Sequence, residues 1–202
     1  MNRLPLIATA IVLTIGLSGA AAVAWAKARM VAAAIPERSE KPFALIDHHG
    51  QPFTQAELHG KVTLLYFGYT FCPDVCPTEL GYVTRLMRAL GPEADLVRPV
   101  MISIDPERDT PELLAGFVSA FDPRLIGLTG KPEDIRAVAK AYGVFAQRAN
   151  VVTAKPGFYL MDHTSATFLL DRQGIQRAKI DSQTTPIETA AAEIRGLLSD
   201  PH

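Results

Sequence analysis

The chain has 202 residues, of which 48% are hydrophobic and 20% charged, and its formal net charge is -1. This length and hydrophobic content suit one globular domain with its own core, plus some additional sequence. The near-neutral charge balance and the lack of a lysine/arginine run argue against nucleic-acid binding. Two cysteines cannot cross-link a domain of this size, so we expect their role to be chemical rather than architectural.

The first segment, residues 4–26, carries no charged side chain and is long enough to cross a hydrocarbon core of ~30 Å as a helix. We interpret residues 1–26 as a transmembrane anchor and residues 27–41 as a polar tether. A cleaved signal peptide is the alternative, because AVA and AWA in this segment resemble small-residue cleavage sites. The length of the apolar run favours the anchor, and both interpretations place the domain at residues 42–202 outside the cytoplasm.

Segments typical of strands and helices alternate along the domain. Apolar or β-rich runs predict strands at 43–47, 62–69, 100–105, 125–128, 164–171 and 175–180, the last two forming a hairpin. Helical periodicity and capping residues predict helices at 77–90, 110–121 and 132–142 and a final helix from 185 onward. Thr54 and Glu57 predict a capping box on one short helical turn. This order predicts an α/β sandwich around a mixed central sheet flanked by helices.

The two cysteines, Cys72 and Cys76, directly follow the predicted strand at 62–69 and precede a helix. This places them at the carboxyl edge of the sheet, where α/β proteins usually build their sites. Residues at i and i+4 share one helix face, with Cα atoms about 6 Å apart, near the upper end of disulfide geometry. The pair can therefore oxidise, or it can present two sulfurs to one atom. A helix N-terminus lowers thiol pKa, which favours both nucleophilic attack and metal binding.

A histidine would complete a metal site with the two thiols. His48, His49 and His59 lie in predicted turns and are interpreted as solvated loop residues, and His202 is the last residue. His163 lies at the mouth of the strand predicted at 164–171, after a long loop, which makes it the best candidate. Two thiolates and one imidazole suit Cu(I), and imidazole also accommodates Cu(II). Zinc stays open on ligand count, because catalytic Cys2His zinc sites exist.

Four segments occur in a characteristic order: YFGYTFCPDVCPTEL, ISIDPERDTPELL, PRLIGLTG and DHTSATFLLD. Together they resemble the Sco/SenC family, membrane-anchored copper proteins of cytochrome c oxidase assembly, over about residues 42–197. The resemblance implies a thioredoxin-like fold and copper, as Cu(I) or Cu(II), held by Cys72, Cys76 and His163. The two cysteines would also form a redox-active disulfide. Phe71 stands where many relatives carry histidine.

The resemblance implies a metallochaperone rather than an enzyme, delivering copper to the dinuclear copper site of the oxidase or reducing the cysteines of that site. The expected partners are the oxidase subunit that holds this site, a copper-donating chaperone, and the membrane. The expected location is the inner membrane, as a single-pass protein whose domain faces the periplasm. A thiol-disulfide oxidoreductase or redox sensor is the alternative. The CxxxC spacing, and Ser165 and Ala166 where such enzymes carry a cis-proline, weaken that alternative.

Three further acidic features have two interpretations each. Asp74 and Asp162 flank the candidate ligands and either orient them or have ordinary loop and cap roles. The segment 105–110, DPERDT, is either a partner surface or the cap of the following helix. None of them is included in the predicted metal site.

Overall fold

The structure, a computed structural model, describes residues 42–149 and 158–200. The predicted anchor at 1–26 and tether at 27–41 lie outside the described residues, so their boundaries stay a prediction. Within the two described ranges, no helix combines the length and the apolar character needed to cross a membrane.

The described residues form nine strands and four α-helices. The strands are β1 (Ala44–Asp47), β2 (Pro52–Thr54), β3 (Val62–Gly68), β4 (Val97–Ser103), β5 (Ile126–Thr129), β6 (Ala146–Arg148), β7 (Met161–His163), β8 (Thr167–Leu170) and β9 (Gln176–Ile180). The helices are α1 (Val75–Leu90), α2 (Pro111–Val118), α3 (Pro132–Tyr142) and α4 (Ile187–Ser199). Two short 3-10 helices span Gln55–Leu58 and Gly91–Leu96.

Seven of the strands form one mixed sheet in the order β2-β1-β5-β4-β3-β8-β9. The three central strands, β3, β4 and β5, are parallel, and the outer pairings are antiparallel. Every residue of β3 is buried, which explains its continuous apolar sequence. Strands β6 and β7 pair with each other in a separate antiparallel ribbon.

The helices cover both faces of the sheet. Val62 and Leu64 of β3 belong to the apolar cluster that includes residues of α1 and α4. Leu65 and Phe67, which point to the other face of the same strand, belong to the cluster with residues of α2 and α3. The rings of Phe67 and Tyr142 are 5.7 Å apart across this second interface. The predicted sandwich around a mixed sheet is therefore confirmed.

The local signals identify most element ends correctly. The Thr54–Glu57 capping box is present, with the Thr54 N–H donating to the Glu57 carboxylate at 2.6 Å. Gly91 directly follows the last residue of α1 and Gly143 that of α3, and both glycines have positive φ, 58° and 65°. Helix α2 begins after Thr110, whose Oγ1 accepts a hydrogen bond from the Leu113 N–H at 3.3 Å.

Several element ends and short strands differ from the sequence prediction. Strand β4 begins at Val97 rather than at residue 100, because Arg98 and Pro99 conceal the apolar pattern at its start. Helix α2 ends at Val118, before residue 121. The segment predicted as one strand at 164–171 is only β8; residues Met161–His163 form a strand of their own, and three-residue strands are too short to show a period.

Candidate metal centre

The two cysteines lie where the central strand β3 passes into helix α1. Cys72 is in the connecting turn, where its N–H donates to the Tyr69 carbonyl oxygen at 3.3 Å. Cys76 is in the first turn of α1, and its N–H donates to the Cys72 Sγ at 3.3 Å. The spacing of the cysteines predicts one helical turn over residues 72–76. Only the end of this segment is helical, because α1 begins at Val75. The Cys72 sulfur instead accepts a hydrogen bond from one of the first amides of the helix.

His163 ends β7 and turns its imidazole toward the cysteines. Its Nε2 lies 3.5 Å from the Cys76 Sγ, and its Nδ1 lies 2.8 Å from the Thr164 carbonyl oxygen. The carbonyl contact assigns the ring proton to Nδ1, so Nε2 offers its lone pair to the site. One donor atom from each of Cys72, Cys76 and His163 lies within 4.8 Å of the other two. The structure therefore brings all three predicted ligands together.

The site is closed toward the core and open toward solvent. Cys76 is fully buried and Cys72 is 9% exposed, while His163 is half-buried. Cys72 and His163 line an open cavity of about 400 Å³, whose walls include Val75 and Phe145. An ion held by the three donors is therefore within reach of a second molecule from the cavity side.

The two thiols titrate very differently. The hydrogen bond from the Cys76 side chain, together with the one from the Cys76 backbone N–H, lowers the pKa of Cys72 to about 3 despite partial burial. The pKa of Cys76 is raised, because its thiol donates to the Cys72 sulfur and is buried. The reduced pair holds one thiolate and one thiol at neutral pH. Binding a metal through both sulfurs therefore releases the Cys76 proton, and affinity rises with pH.

Aromatic rings and a glycine fix the positions of the ligands. The rings of Tyr66 and Tyr69 pack edge-on to the His163 imidazole, with centroids 6.1 and 5.9 Å away. A Cβ atom on Gly68 would lie 2.6 Å from the Tyr66 ring and 3.0 Å from the Cys76 Sγ. A glycine is required there, because any side chain would displace the ring or the sulfur. The sequence pattern did not identify Tyr66 and Gly68 as residues that support the site, because both look like ordinary strand residues.

A buried carboxyl ties the cysteine helix to the strand that follows His163. Glu79 of α1 accepts hydrogen bonds from the Thr167 hydroxyl at 3.3 Å and from the Ser182 hydroxyl. Burial raises the pKa of Glu79. The only sequence signal that could have identified Glu79 as part of the site is its position one helical turn after Cys76. Its charge alone predicts a position on the surface.

The other histidines and acids singled out in the sequence are not in the donor group. His48 lies in the turn between β1 and β2 as predicted, but it is half-buried rather than solvated, and its Nδ1 accepts a hydrogen bond from the Gly127 N–H at 3.1 Å. Asp74 and Asp162 line the cavity beside the ligands without joining them. His202 lies outside the described residues.

The SCO1/SenC family model matches residues 32–199. The chain belongs to this family. It is 43% identical to Bradyrhizobium japonicum ScoI, a structure with copper bound, over 78% of this chain and 98% of that one, with a TM-score of 0.72. It is 32% identical to yeast Sco1 with copper bound, over 80% and 89% of the two chains, again with a TM-score of 0.72.

A curated relative is the SCO2-like protein of Rickettsia felis, 42% identical over 132 residues, which are 65% of this chain. The chain spans 64% of the length of that relative. The family membership and the thioredoxin-like α/β fold predicted from the four sequence segments are confirmed by these matches.

Proposed function

We propose that this Sco-family domain is a copper metallochaperone and not an enzyme, which binds copper through Cys72, Cys76 and His163 and passes it to another protein. The observation that carries the proposal is the donor group, in which two sulfurs and one imidazole nitrogen lie within 4.8 Å of one another beside an open cavity. The copper-bound structures of the Bradyrhizobium and yeast relatives support it.

The donor set favours copper over a structural zinc ion. Thiolates are soft ligands that suit Cu(I), and imidazole binds both Cu(I) and Cu(II). Structural zinc sites are closed by four ligands, whereas no fourth cysteine, histidine or carboxylate joins the group among the described residues. A metal held by three donors at an open cavity keeps a position for an incoming ligand, as transfer requires.

We infer that the acceptor is the oxidase subunit that holds the dinuclear copper site of cytochrome c oxidase, and that a second chaperone supplies the copper. The inferred location is the inner membrane, with residues 1–26 as a single-pass anchor and the domain in the periplasm. A membrane-impermeant thiol reagent should label Cys72 in intact spheroplasts. Labelling that requires lysis would contradict this topology.

Thiol-disulfide exchange is the second candidate function, and one observation favours it. The pKa of Cys72, lowered to about 3, provides a thiolate at the wall of the cavity next to a fully buried partner thiol. A thiolate attacks a partner disulfide, and the second thiol then resolves the mixed disulfide. His163 separates the two candidates, because copper binding requires its imidazole and disulfide exchange requires only the sulfurs.

The test is the substitution His163→Ala, examined by oxidase activity in cells that lack the native protein and grow at limiting copper. The variant loses one of three ligands, and the loss of a ligand or its support commonly weakens metal binding by ten- to a hundred-fold or more. We expect it to fail in oxidase assembly while Cys72 and Cys76 still form and break their disulfide, as thiol titration of the purified variant will show. Full rescue by the alanine variant would refute the metallochaperone proposal in favour of thiol exchange.

A further inference from the structure

The ligands of the metal centre come from two parts of the chain that are not paired in the main sheet. Cys72 and Cys76 follow the central strand β3, whereas His163 ends β7, in the ribbon formed with β6. Backbone pairing in the seven-stranded sheet stops short of His163, because β8, the strand that pairs with β3, begins only at Thr167. Side-chain contacts between the two parts therefore contribute to the distance between the sulfurs and the imidazole, among them the hydrogen bond from the Met161 N–H to the Tyr69 hydroxyl at 3.1 Å.

The segment that follows β4, residues 105–109, holds the cysteine turn. The Asp109 carboxylate is fully buried and accepts hydrogen bonds from the Thr70 N–H at 3.1 Å and the Thr70 hydroxyl at 2.6 Å. The Ser103 hydroxyl donates to the same carboxylate at 2.6 Å. Thr70 stands two residues before Cys72, so these bonds fix the start of the turn that carries the first sulfur.

The same segment also contacts the chain that leads into His163. The Tyr159 hydroxyl donates to the Asp105 carboxylate at 2.7 Å. The Arg148 guanidinium, on the strand that pairs with β7, forms an ion pair with Glu107 at 2.5 Å. Residues 105–109 thus touch both ligand-bearing parts of the chain.

Arg108 joins the two sides through a single planar group. Its Nη1 donates to the Tyr159 carbonyl oxygen at 3.1 Å, and its Nε donates to Asp105 at 2.5 Å. The guanidinium carbon lies 3.6 Å from the centre of the Tyr159 ring and 4.6 Å from the centre of the Phe71 ring. Phe71 directly precedes Cys72, so one side chain contacts the neighbours of both the cysteine turn and the histidine strand. Only 19% of the Arg108 side chain is exposed.

We propose that Arg108 is a positioning residue of the metal centre, which sets the separation between Cys72 and His163. The proposal rests on the copper-binding role proposed above. Lysine cannot replace it, because one ammonium group lacks the planar fork and does not stack flat on aromatic rings. Arg108→Lys keeps the charge and removes this geometry, so a role in placing His163 against the cysteines predicts that its effect on copper depends on the imidazole.

The experiment is a double-mutant cycle on Cu(I) affinity, measured by competition with a chromogenic Cu(I) chelator for the parent, Arg108→Lys, His163→Ala and the double variant. We expect Arg108→Lys to weaken Cu(I) binding about tenfold in the parent, and to have almost no effect once His163 is gone. The matched control is Arg124→Lys. Arg124 makes the same kind of contact, with its Nε 2.8 Å from Asp122, but it precedes β5 at the opposite end of the parallel strands. This control should bind Cu(I) like the parent.

Unchanged affinity in Arg108→Lys, or an equal loss with and without His163, would overturn the positioning role. Tyr159→Leu removes the stacked ring and leaves the arginine. It should weaken Cu(I) binding in the parent and have almost no effect once His163 is gone, and it replaces Arg108→Lys in the cycle if that variant does not fold. If His163→Ala binds Cu(I) as tightly as the parent protein, the proposed copper site itself is refuted. A failure of the copper site is therefore distinguishable from a failure of the positioning role.

Discussion

The two cysteines are chemically unequal although only three residues separate them. Cys72 lies at the cavity with its sulfur accepting hydrogen bonds, and Cys76 is fully buried with its thiol donating one. The sulfur at the cavity therefore carries the charge at neutral pH, and the fully buried sulfur carries the proton. This distribution of charge and proton suits a site that is approached from the cavity, because the first sulfur that a metal ion or a partner contacts is already a thiolate.

Alkylation of the reduced protein tests this inequality. Because the pKa of Cys72 is lowered to about 3, its reaction with iodoacetamide should hardly change in rate between about pH 5 and 8. An ordinary thiol, with a pKa near 8.5, would accelerate roughly tenfold per pH unit over the same range. Peptide mapping by mass spectrometry should locate the label on Cys72 and not on Cys76.

Cys76→Ala is the matched variant for this measurement. It replaces the thiol that contributes most to lowering the pKa of Cys72, so the rate at Cys72 should become more dependent on pH. A rate at Cys72 that rises steeply with pH in the parent protein would contradict the assignment of the thiolate.

At the scale of elements, the metal centre is built on the junction of β3 and α1. The Gly68 carbonyl, at the end of β3, accepts a hydrogen bond from the Ile104 N–H at 2.8 Å, which continues the parallel pairing to β4. The next residues turn into α1, and Cys76 packs back onto Gly68. The rigid strand and helix therefore hold Cys76 firmly, while Cys72 depends on the turn between them.

Gly68→Ala should damage this junction. The added methyl group would overlap the Tyr66 ring and the Cys76 sulfur, and overpacking of this kind costs about 1–3 kcal/mol in the free energy of unfolding. Copper affinity should fall at least tenfold, roughly as for a lost supporting contact, because the sulfur is displaced. Chemical denaturation and Cu(I) competition measure the two effects.

Gly196→Ala in α4 is the control, because a Cβ there meets no heavy atom within 4 Å. It should raise the free energy of unfolding by roughly 0.5–1 kcal/mol through helix propensity and leave copper binding unchanged. Equal behaviour of the two alanine variants would show that Gly68 has no special role.

Local patterns predicted most helices and strands, because apolar periodicity, capping residues and helix-ending glycines depend only on residues that are close together in the sequence. The three-residue ribbon strands β6 and β7 carry too few residues for a period, and β7 holds a ligand. The cysteines were recognisable from their spacing, and His163 from its place at a strand. Arg108 and Tyr159 were not recognisable, because their contact joins residues 51 positions apart and exists only in the folded chain.

At the scale of the whole molecule, the sheet supplies a rigid base and the loops at one edge supply the chemistry. The carboxyl ends of the parallel strands β3 and β4 place the cysteine turn and residues 105–109 side by side, and the ribbon brings His163 to them. The same arrangement leaves one side of the donor group facing a cavity. The proposed chaperone role requires this combination, since such a protein has to hold an ion firmly and still present it to another protein.

The coordination of the bound ion is the most direct test of a copper site formed by two sulfurs and one imidazole. Copper K-edge X-ray absorption of the reduced protein, loaded with about one Cu(I) per chain, should show two sulfur neighbours and one imidazole nitrogen. His163→Ala should lose the imidazole scattering and keep both sulfurs. A spectrum without sulfur neighbours, or one that His163→Ala leaves unchanged, would contradict a site formed by Cys72, Cys76 and His163.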